Sequence, residues 1–202
     1  MDKPWYFILG FTAQLLFSLR VLVQWILSEK AKKVVSPAIY WQLSLLASIV
    51  FSIYGWLRGD FAIILGQLFT YYIYIWNLKR KDRWQHLNKV LQYIVFILPL
   101  IALIYVVSQG SNTINRLFDN ISLSLLVFGS LGQVIFTLRF IYQWWYSRSR
   151  NKSYLPAGFW IFSLTGAVIT IIYGIFRKDP VLIIGHGAGF IAYARNLWLS
   201  KK

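Results

Sequence analysis

The sequence contains no cysteine and only two histidines among its 202 residues. Disulfide bonds and cysteine-ligated metals are therefore excluded, and two histidines are too few for a histidine metal cluster. Acidic residues are also scarce, with six Asp and Glu against 21 Lys and Arg. The sequence has no Ser-His-Asp set and no glycine-rich phosphate loop. It thus predicts no cofactor, no metal and no enzymatic activity.

Charged residues of either sign make up only 13% of the chain, whereas 58% is hydrophobic. That polar content is too low to cover the surface of a soluble protein. Seven apolar segments are long enough to span about 30 Å of hydrocarbon. They cover residues 5–27, 39–57, 61–78, 89–108, 121–146, 157–176 and 180–198. We therefore expect an all-α integral membrane protein with seven transmembrane helices.

The formal net charge of +15 would suggest a nucleic-acid partner in a soluble protein. Here most of the Lys and Arg residues fall at one end of the expected helices, around residues 30–33, 79–89, 148–152 and 195–202. The positive-inside rule then places the amino terminus outside and the carboxyl terminus in the cytoplasm. Anionic lipid head groups are favoured over nucleic acid as the partner of this basic face.

An internal repeat organises the chain. Residues 10–78 recur as residues 129–197 at a constant offset of 119 positions and without a gap. The repeated polar residues include Gln14 and Gln133, Arg20 and Arg139, Gln24 and Gln143, and Asn77 and Asn196. Duplicated hydrophobic halves are typical of transporters that place a binding site between the two copies.

Each repeat holds three expected helices, an odd number, so two fused copies would cross the membrane in opposite directions. The apolar segment at 89–108 has no counterpart in the repeats, and one extra crossing makes the two copies parallel. The expected domains are a first three-helix repeat at 5–78, loops and a linker transmembrane helix at 79–120, and a second three-helix repeat at 121–198. This is a three-plus-one-plus-three arrangement.

Four motifs occur in both repeats: Q-x-x-F-x-L-R-x-x-x-Q-W-x-x-S, P-A-x-[YF]-W-x-x-S-L, I-Y-G-x-x-R-x-D and Y-x-x-N-L. They resemble the membrane domain named for the amino-terminal region of some lipid A disaccharide synthases, which also occurs as a stand-alone protein. That domain is similar in plan to the SWEET and PQ-loop sugar carriers. The resemblance implies a SWEET-like fold, a lipid-linked sugar context and the bacterial inner membrane. It does not imply synthase activity, because no soluble glycosyltransferase domain is expected here.

Arg20 and Arg139 are the main candidates for chemistry. Each lies roughly 12 Å from the cytoplasmic end of its helix, at 1.5 Å per residue, where a charge costs on the order of 2.5–3.5 kcal/mol on insertion scales. The acidic residues all fall at helix ends or in loops, so we expect no counter-charge. A guanidinium offers a planar fork to phosphate oxygens. The alternative is that both arginines snorkel to the cytoplasmic interface.

Gln14, Arg20 and Gln24 fall on one face of the first helix, and their copies do likewise. If the two faces meet at a shared axis, they would form an anion site between the halves. The Asn in each Y-x-x-N-L motif resembles the Asn that lines the sugar pocket of SWEET carriers, although helix–helix hydrogen bonding explains it equally well. The expected substrate-binding residues are Arg20, Arg139, Gln14, Gln133, Gln24, Gln143, Asn77 and Asn196.

Other repeated polar residues are expected to be structural. Arg58 and Asp60, like their copies Arg177 and Asp179, suit tight turns in which the Asp caps the next helix. Ser44 and its copy are expected to be small packing residues. His186 replaces Gln67 and breaks the symmetry, and a packed neutral histidine is favoured over a proton relay.

The leading functional hypothesis is a transporter, or flippase, of an anionic lipid-linked sugar such as a polyprenyl-phosphate sugar or a glycolipid precursor. The phosphate would meet Arg20 and Arg139. One alternative is a carrier of small soluble sugars, which would need no buried cations. Another is a non-transporting membrane partner that anchors a glycosyltransferase of lipid A or glycolipid biosynthesis.

Overall fold

A computed structural model describes residues 5–108 and 122–200, and every regular element in those ranges is a helix. The helices are Trp5–Ala31 (α1), Ala38–Arg58 (α2), Phe61–Arg80 (α3), Lys89–Ser108 (α4), Leu123–Arg148 (α5), Ala157–Phe176 (α6) and Pro180–Leu199 (α7). The seven helices expected from the sequence are thus all present, with ends displaced by a few residues. The loop expected at 109–120 lies outside the described residues.

The short turns between the last two helices of each repeat explain where those helices end. Gly59 adopts φ 62° after α2, a left-handed conformation that glycine tolerates. Asp60 then caps α3, accepting a hydrogen bond from the Ile63 amide at 3.2 Å. Asp179 caps α7 in the same way, accepting from the Leu182 amide at 3.3 Å, and it also accepts from the Val181 amide at 2.9 Å. The capping role expected for both aspartates is therefore confirmed.

Six of the helices form a closed ring. Each packs against its neighbour in the order α1, α2, α3, α5, α6, α7 and back to α1. The first repeat therefore meets the second through two equivalent pairs, α1 with α7 and α3 with α5. The sequence had suggested that α1 and α5 would meet at a shared axis, but they are not one of the extensively packed pairs. Their polar faces approach each other only across the middle of the ring.

Aromatic side chains fill much of the interior of the ring. Trp41 and Trp160, which are repeat copies, are both fully buried, and Phe140 lies between the two halves with its ring 6.3 Å from that of Trp41. The linker helix α4 lies outside the ring against α3, where the Tyr71 hydroxyl donates to the Val95 carbonyl at 2.7 Å. The ring itself therefore positions the site, and α4 covers part of its outer wall.

Within the described residues, four helices are long and apolar enough to cross a membrane, namely α1, α2, α5 and α6. Large apolar side chains on their outer faces are exposed, for example Ile8 and Leu131, as expected for contact with lipid. α3 and α7 carry more polar residues, including Gln67 and His186, which are buried inside the ring. The apolar helices and outer surface indicate a membrane protein.

Candidate functional site

A cavity lies inside the ring, between the two repeats, and is lined mainly by α1, α3, α5 and α7. Its volume is about 40 Å³. Of the expected binding residues, Arg20, Arg139, Gln14 and Gln133 line it. Because all four come from α1 and α5, the cavity is where the polar faces of these two helices approach each other.

Arg20 is held inside the protein at 2% exposure. Its Nη1 donates to the Ser44 hydroxyl at 2.7 Å and to the Tyr74 hydroxyl at 3.4 Å. The Ser44 hydroxyl donates its own proton to the Tyr40 carbonyl at 2.5 Å, which leaves its lone pairs free to accept from the guanidinium. Ser44 was expected to be a packing residue, and it is instead the principal hydrogen-bond partner of Arg20.

Arg139 repeats this arrangement in the second half, at 1% exposure. Its Nη1 donates to the Ser163 hydroxyl at 3.3 Å, and Ser163 donates to the Phe159 carbonyl at 2.6 Å. The guanidinium carbon lies 3.4 Å from the ring centroid of Phe136 and 4.5 Å from that of Phe140. Both arginines are therefore buried in the bundle, and snorkelling to the interface does not describe either of them.

Neither arginine has an acidic partner within the part of the chain that the structure describes. Aromatic rings take that place, and the Arg20 guanidinium lies 4.5 Å from the Phe17 ring and 5.5 Å from the Phe140 ring. Such contacts offset part of the cost of burying a cation but do not neutralise its charge. In both arginines Nε has no hydrogen-bond partner among the described residues. Two positive charges therefore line the cavity, and each guanidinium retains a buried N–H without a partner among the described residues.

The two glutamines of the cavity each pack on a glycine of the opposite repeat. A Cβ added at Gly66 would lie 2.7 Å from Oε1 of Gln133, and Gln14 approaches Gly185 in the equivalent way. A side chain at Gly66 or Gly185 would displace the facing glutamine from its present position. The polar end of each glutamine is thereby held at the interface between the repeats, next to the arginines.

His186 is the one asymmetric titratable residue in the cavity wall, because its repeat copy is Gln67. It is buried, and its ring packs edge-on against Phe136 with centroids 4.7 Å apart. Its Nδ1 makes no hydrogen bond to the described residues. This packing resembles that of a neutral core histidine.

The other four expected binding residues lie outside the cavity and pair with each other across the repeats. Asn77 and Gln143 exchange two hydrogen bonds of 3.1 and 3.0 Å. Gln24 donates to Asn196 at 3.0 Å. All four are fully buried. The structure thus shows them joining α3 to α5 and α1 to α7, and a role in binding substrate remains a prediction for them.

Two serines add hydrogen bonds at the end of the bundle where these Asn and Gln residues lie. The hydroxyls of Ser36 and Ser153, in the loops before α2 and α6, lie 2.8 Å apart. The Trp41 indole donates to both, at 3.0 and 3.1 Å, and Ser153 donates to Asn77 at 2.8 Å. Uncharged groups of both repeats therefore close this end of the cavity.

Charged groups close the opposite end, again across the repeats. Arg58 lies 2.9 Å from the Asp179 carboxylate, and Arg177 lies 3.9 Å from that of Asp60. Tyr173 donates to Asp60 at 3.0 Å. Burial raises the pKa of Asp60, and the nearby Arg177 opposes that change. Both aspartates thus hold the repeats together in addition to capping their helices, a role that their spacing alone did not reveal.

The fold and the cavity define a class of helical membrane protein in which two copies of a three-helix unit enclose a cationic site. A family model described as the Lipid A Biosynthesis N-terminal domain matches residues 9–79 and again residues 128–198. The first residues of the two matches differ by the same 119 positions as the sequence repeat. The chain belongs to this family, and the resemblance noted in its motifs is confirmed.

Relatives of the chain are longer proteins named lipid-A-disaccharide synthase. The one from Chlamydia trachomatis is 29% identical over 209 residues, which cover 98% of this chain and 34% of the relative. The one from Chlamydia pneumoniae is 29% identical over 200 residues, covering 96% and 33%. The chain therefore spans about a third of the length of these relatives. No solved structure matches the chain.

Proposed function

We propose that the protein binds the phosphate-bearing head group of a lipid-linked sugar between its repeats and moves it across the bacterial inner membrane. In this proposal all seven helices cross the bilayer, in the three-plus-one-plus-three arrangement. The amino terminus faces outward and the carboxyl terminus faces the cytoplasm. The proposal assigns no catalytic step to this chain.

The observation that carries the proposal is a pair of buried arginines that have no carboxylate partner among the described residues. A cation buried without a carboxylate is costly, and its retention in two copies is explained if an anion from outside the protein joins it. Phosphate suits the site because a guanidinium binds two of its oxygens at once. A carrier of soluble, uncharged sugars would have no use for either charge.

The size of the cavity limits what it holds in this state. A buried water needs roughly 10–15 Å³, so about 40 Å³ accommodates a few waters or one phosphate group. A sugar ring is larger, and the cavity must widen before a sugar enters with the phosphate. The contacts that close the two ends of the cavity all join the first repeat to the second. Rocking of the repeats about the arginines would open one end while the other stays closed.

A second candidate function has its own support. The relatives are about three times as long as this chain and are named for an enzyme. A domain that belongs to such a protein could hold a glycosyltransferase at the membrane, or present a lipid substrate to it, without transporting anything. This non-transporting partner would still bind the lipid phosphate if presentation is its role, so transport itself must be measured.

Reconstitution into liposomes separates these functions. A fluorescent polyprenyl-phosphate sugar is placed in both leaflets, and an impermeant quencher reports how fast the inner pool reaches the outer leaflet. The parent protein should accelerate this exchange, whereas the double variant Arg20→Gln, Arg139→Gln should not. Arg148→Gln, at the exposed end of α5, is the matched control and should behave like the parent. Phosphate-lipid binding by the parent without accelerated exchange would favour the non-transporting partner.

A further inference from the structure

A groove opens on the outer surface of the ring between α1 and α7, with a volume of about 440 Å³. Its walls are largely apolar. They include Leu15, Leu19 and Leu22 from α1 and Ala188, Ile191 and Ala192 from α7. Leu15 is 60% exposed and Ile191 is 69% exposed. This surface, called the α1–α7 groove below, faces the hydrocarbon if the helices cross the membrane as proposed.

The groove adjoins the central cavity directly. Ser18, Val21 and Gly189 line both spaces, so the apolar groove and the cavity that holds the two arginines share part of their walls. All three are small or medium-sized residues. A ligand with a phosphate at Arg20 and Arg139 would therefore have a short path to the surface through this interface.

At four positions equivalent to residues that line the groove, the sequence of α3 and α5 has larger residues. The repeat copies of Ala188, Gly189 and Ala192 are Phe69, Thr70 and Ile73, and the copy of Val21 is Phe140. α4 also lies against the outer face of α3, where the Tyr72 hydroxyl donates to the Phe96 carbonyl at 3.3 Å. The duplication thus provides an internal comparison. At these four positions the α1–α7 interface has the smaller residues, and the contact with α4 described here lies on α3, at the other interface.

The geometry points to the α1–α7 groove as the docking site for the hydrocarbon chain of a lipid whose phosphate lies between Arg20 and Arg139. This inference rests on the proposed function and adds the route by which the lipid reaches the cavity. The groove gives the chain no hydrophobic gain over the bilayer, because lipid tails are as apolar as leucine. Its role is steric, since it lets the phosphate enter while the chain stays outside. The walls that the groove shares with a cavity lined by two cations favour this occupant over an apolar helix of another protein.

The inference is tested with two substitutions that introduce, at positions of α7, the larger residues found at the equivalent positions of α3. Ala188→Phe and Ala192→Ile place in the groove the residues found at positions 69 and 73. Ile184→Phe, on α7 but outside the groove, is the matched control and is 58% exposed in the parent. Binding to the purified protein is measured with two probes, inorganic phosphate and a long-chain alkyl monophosphate that carries a photoreactive group on its chain.

We expect the groove-filling double variant to bind the long-chain phosphate at least about tenfold more weakly, a change of one decade in Kd. Its binding of inorganic phosphate should stay near that of the parent, and Ile184→Phe should match the parent with both probes. Photocrosslinks in the parent should map to α1 and α7. The assignment of the groove as the docking site would be wrong if the parent and the groove-filling variant bound the long-chain phosphate equally well, or if the crosslinks were confined to α3 and α5. Neither result would contradict a phosphate site at the arginines. If the parent binds neither probe, the proposed function fails and the groove fails with it.

Discussion

The Tyr54 hydroxyl of the first repeat donates a 2.8 Å hydrogen bond to the Asp179 carboxylate of the second repeat. The copy of this contact, from Tyr173 to Asp60, is made at 3.0 Å. Each aspartate therefore receives a tyrosine and an arginine from the other half while capping a helix in its own. One buried carboxylate links local helix formation to the association of the repeats.

Removing one of these hydroxyls should loosen the association. We expect Tyr54→Phe to lower the free energy of unfolding by about 1.5–3 kcal/mol, the range for hydrogen bonds to charged groups. The reason is that the fully buried Asp179 carboxylate loses a hydrogen-bond donor. Thermal unfolding in detergent measures the change. Tyr93→Phe, at a tyrosine on α4 that is 68% exposed, should leave the midpoint unchanged, and equal midpoints for Tyr54→Phe and the parent would contradict the prediction.

A second prediction concerns the contacts between the two repeats at the end of the bundle opposite the aspartates. Because Gln24 bonds Asn196 and Asn77 bonds Gln143, cysteine pairs at positions 24 and 196, and at 77 and 143, should crosslink with a short reagent. The chain has no native cysteine, so no background needs to be removed. Pairing position 26 with 196 is the control, since Ile26 is exposed on another face of α1. Crosslinking of 26 with 196 as efficient as that of 24 with 196 would mean that the helices are rotated from the arrangement described.

These contacts show what a duplicated sequence predicts and what it leaves open. Apolar segments and Asp caps depend on residues that are close together in the chain. The sequence therefore predicted all seven helices and the roles of Asp60 and Asp179 in starting α3 and α7. The arginine with which each aspartate pairs is not determined by residues nearby in the chain. Asp60 has an arginine two residues away in its own repeat and another in the second repeat, and the sequence treats Arg58 and Arg177 as equivalent. Only the packing of the ring selects Arg177.

The candidate site was predictable in part for the same reason. Arg20 and Arg139 were identified because a cation without an acidic neighbour in an apolar helix is conspicuous at any position. Gln24 and Gln14 look alike on a helical projection, yet only Gln14 reaches the cavity. The difference depends on Asn196, which lies 172 residues from Gln24 in the chain. Ser44 gave no signal of its role, since serine in an apolar helix is usually a packing residue.

A third prediction concerns orientation in the membrane. The excess of Lys and Arg near residues 79–89 predicts that this loop faces the cytoplasm and that position 112 faces outward. Single cysteines replacing His86 and Asn112 should respond differently to an impermeant maleimide on spheroplasts. Position 112 should be labelled directly, and position 86 only after permeabilisation. The reverse pattern would invert the topology proposed here.

A fourth prediction tests the phosphate site by comparing an arginine that has a carboxylate partner with one that has none among the described residues. The Arg58 side chain is 8% exposed and lies 2.9 Å from the Asp179 carboxylate. Arg20 is 2% exposed and has no carboxylate partner among the described residues. Removing one partner of a buried ion pair leaves the other charge uncompensated and typically costs about 3–5 kcal/mol. Removing a cation that has no carboxylate partner also removes its desolvation penalty, so the loss of the Ser44 hydrogen bond is largely offset.

We therefore expect Arg58→Gln to unfold at a clearly lower temperature than the parent, while Arg20→Gln unfolds at a similar or higher temperature. The affinity for a lipid phosphate, in contrast, should fall in Arg20→Gln. Arg20→Gln loses a charge-assisted contact of roughly 1.5–3 kcal/mol, which is about ten- to a hundredfold in the Kd for a lipid phosphate. Arg20→Lys should restore only part of this affinity, because an ammonium keeps the charge without the planar fork. An Arg20→Gln protein that is destabilised like Arg58→Gln and binds the lipid phosphate as tightly as the parent would show that Arg20 serves the fold and not the ligand.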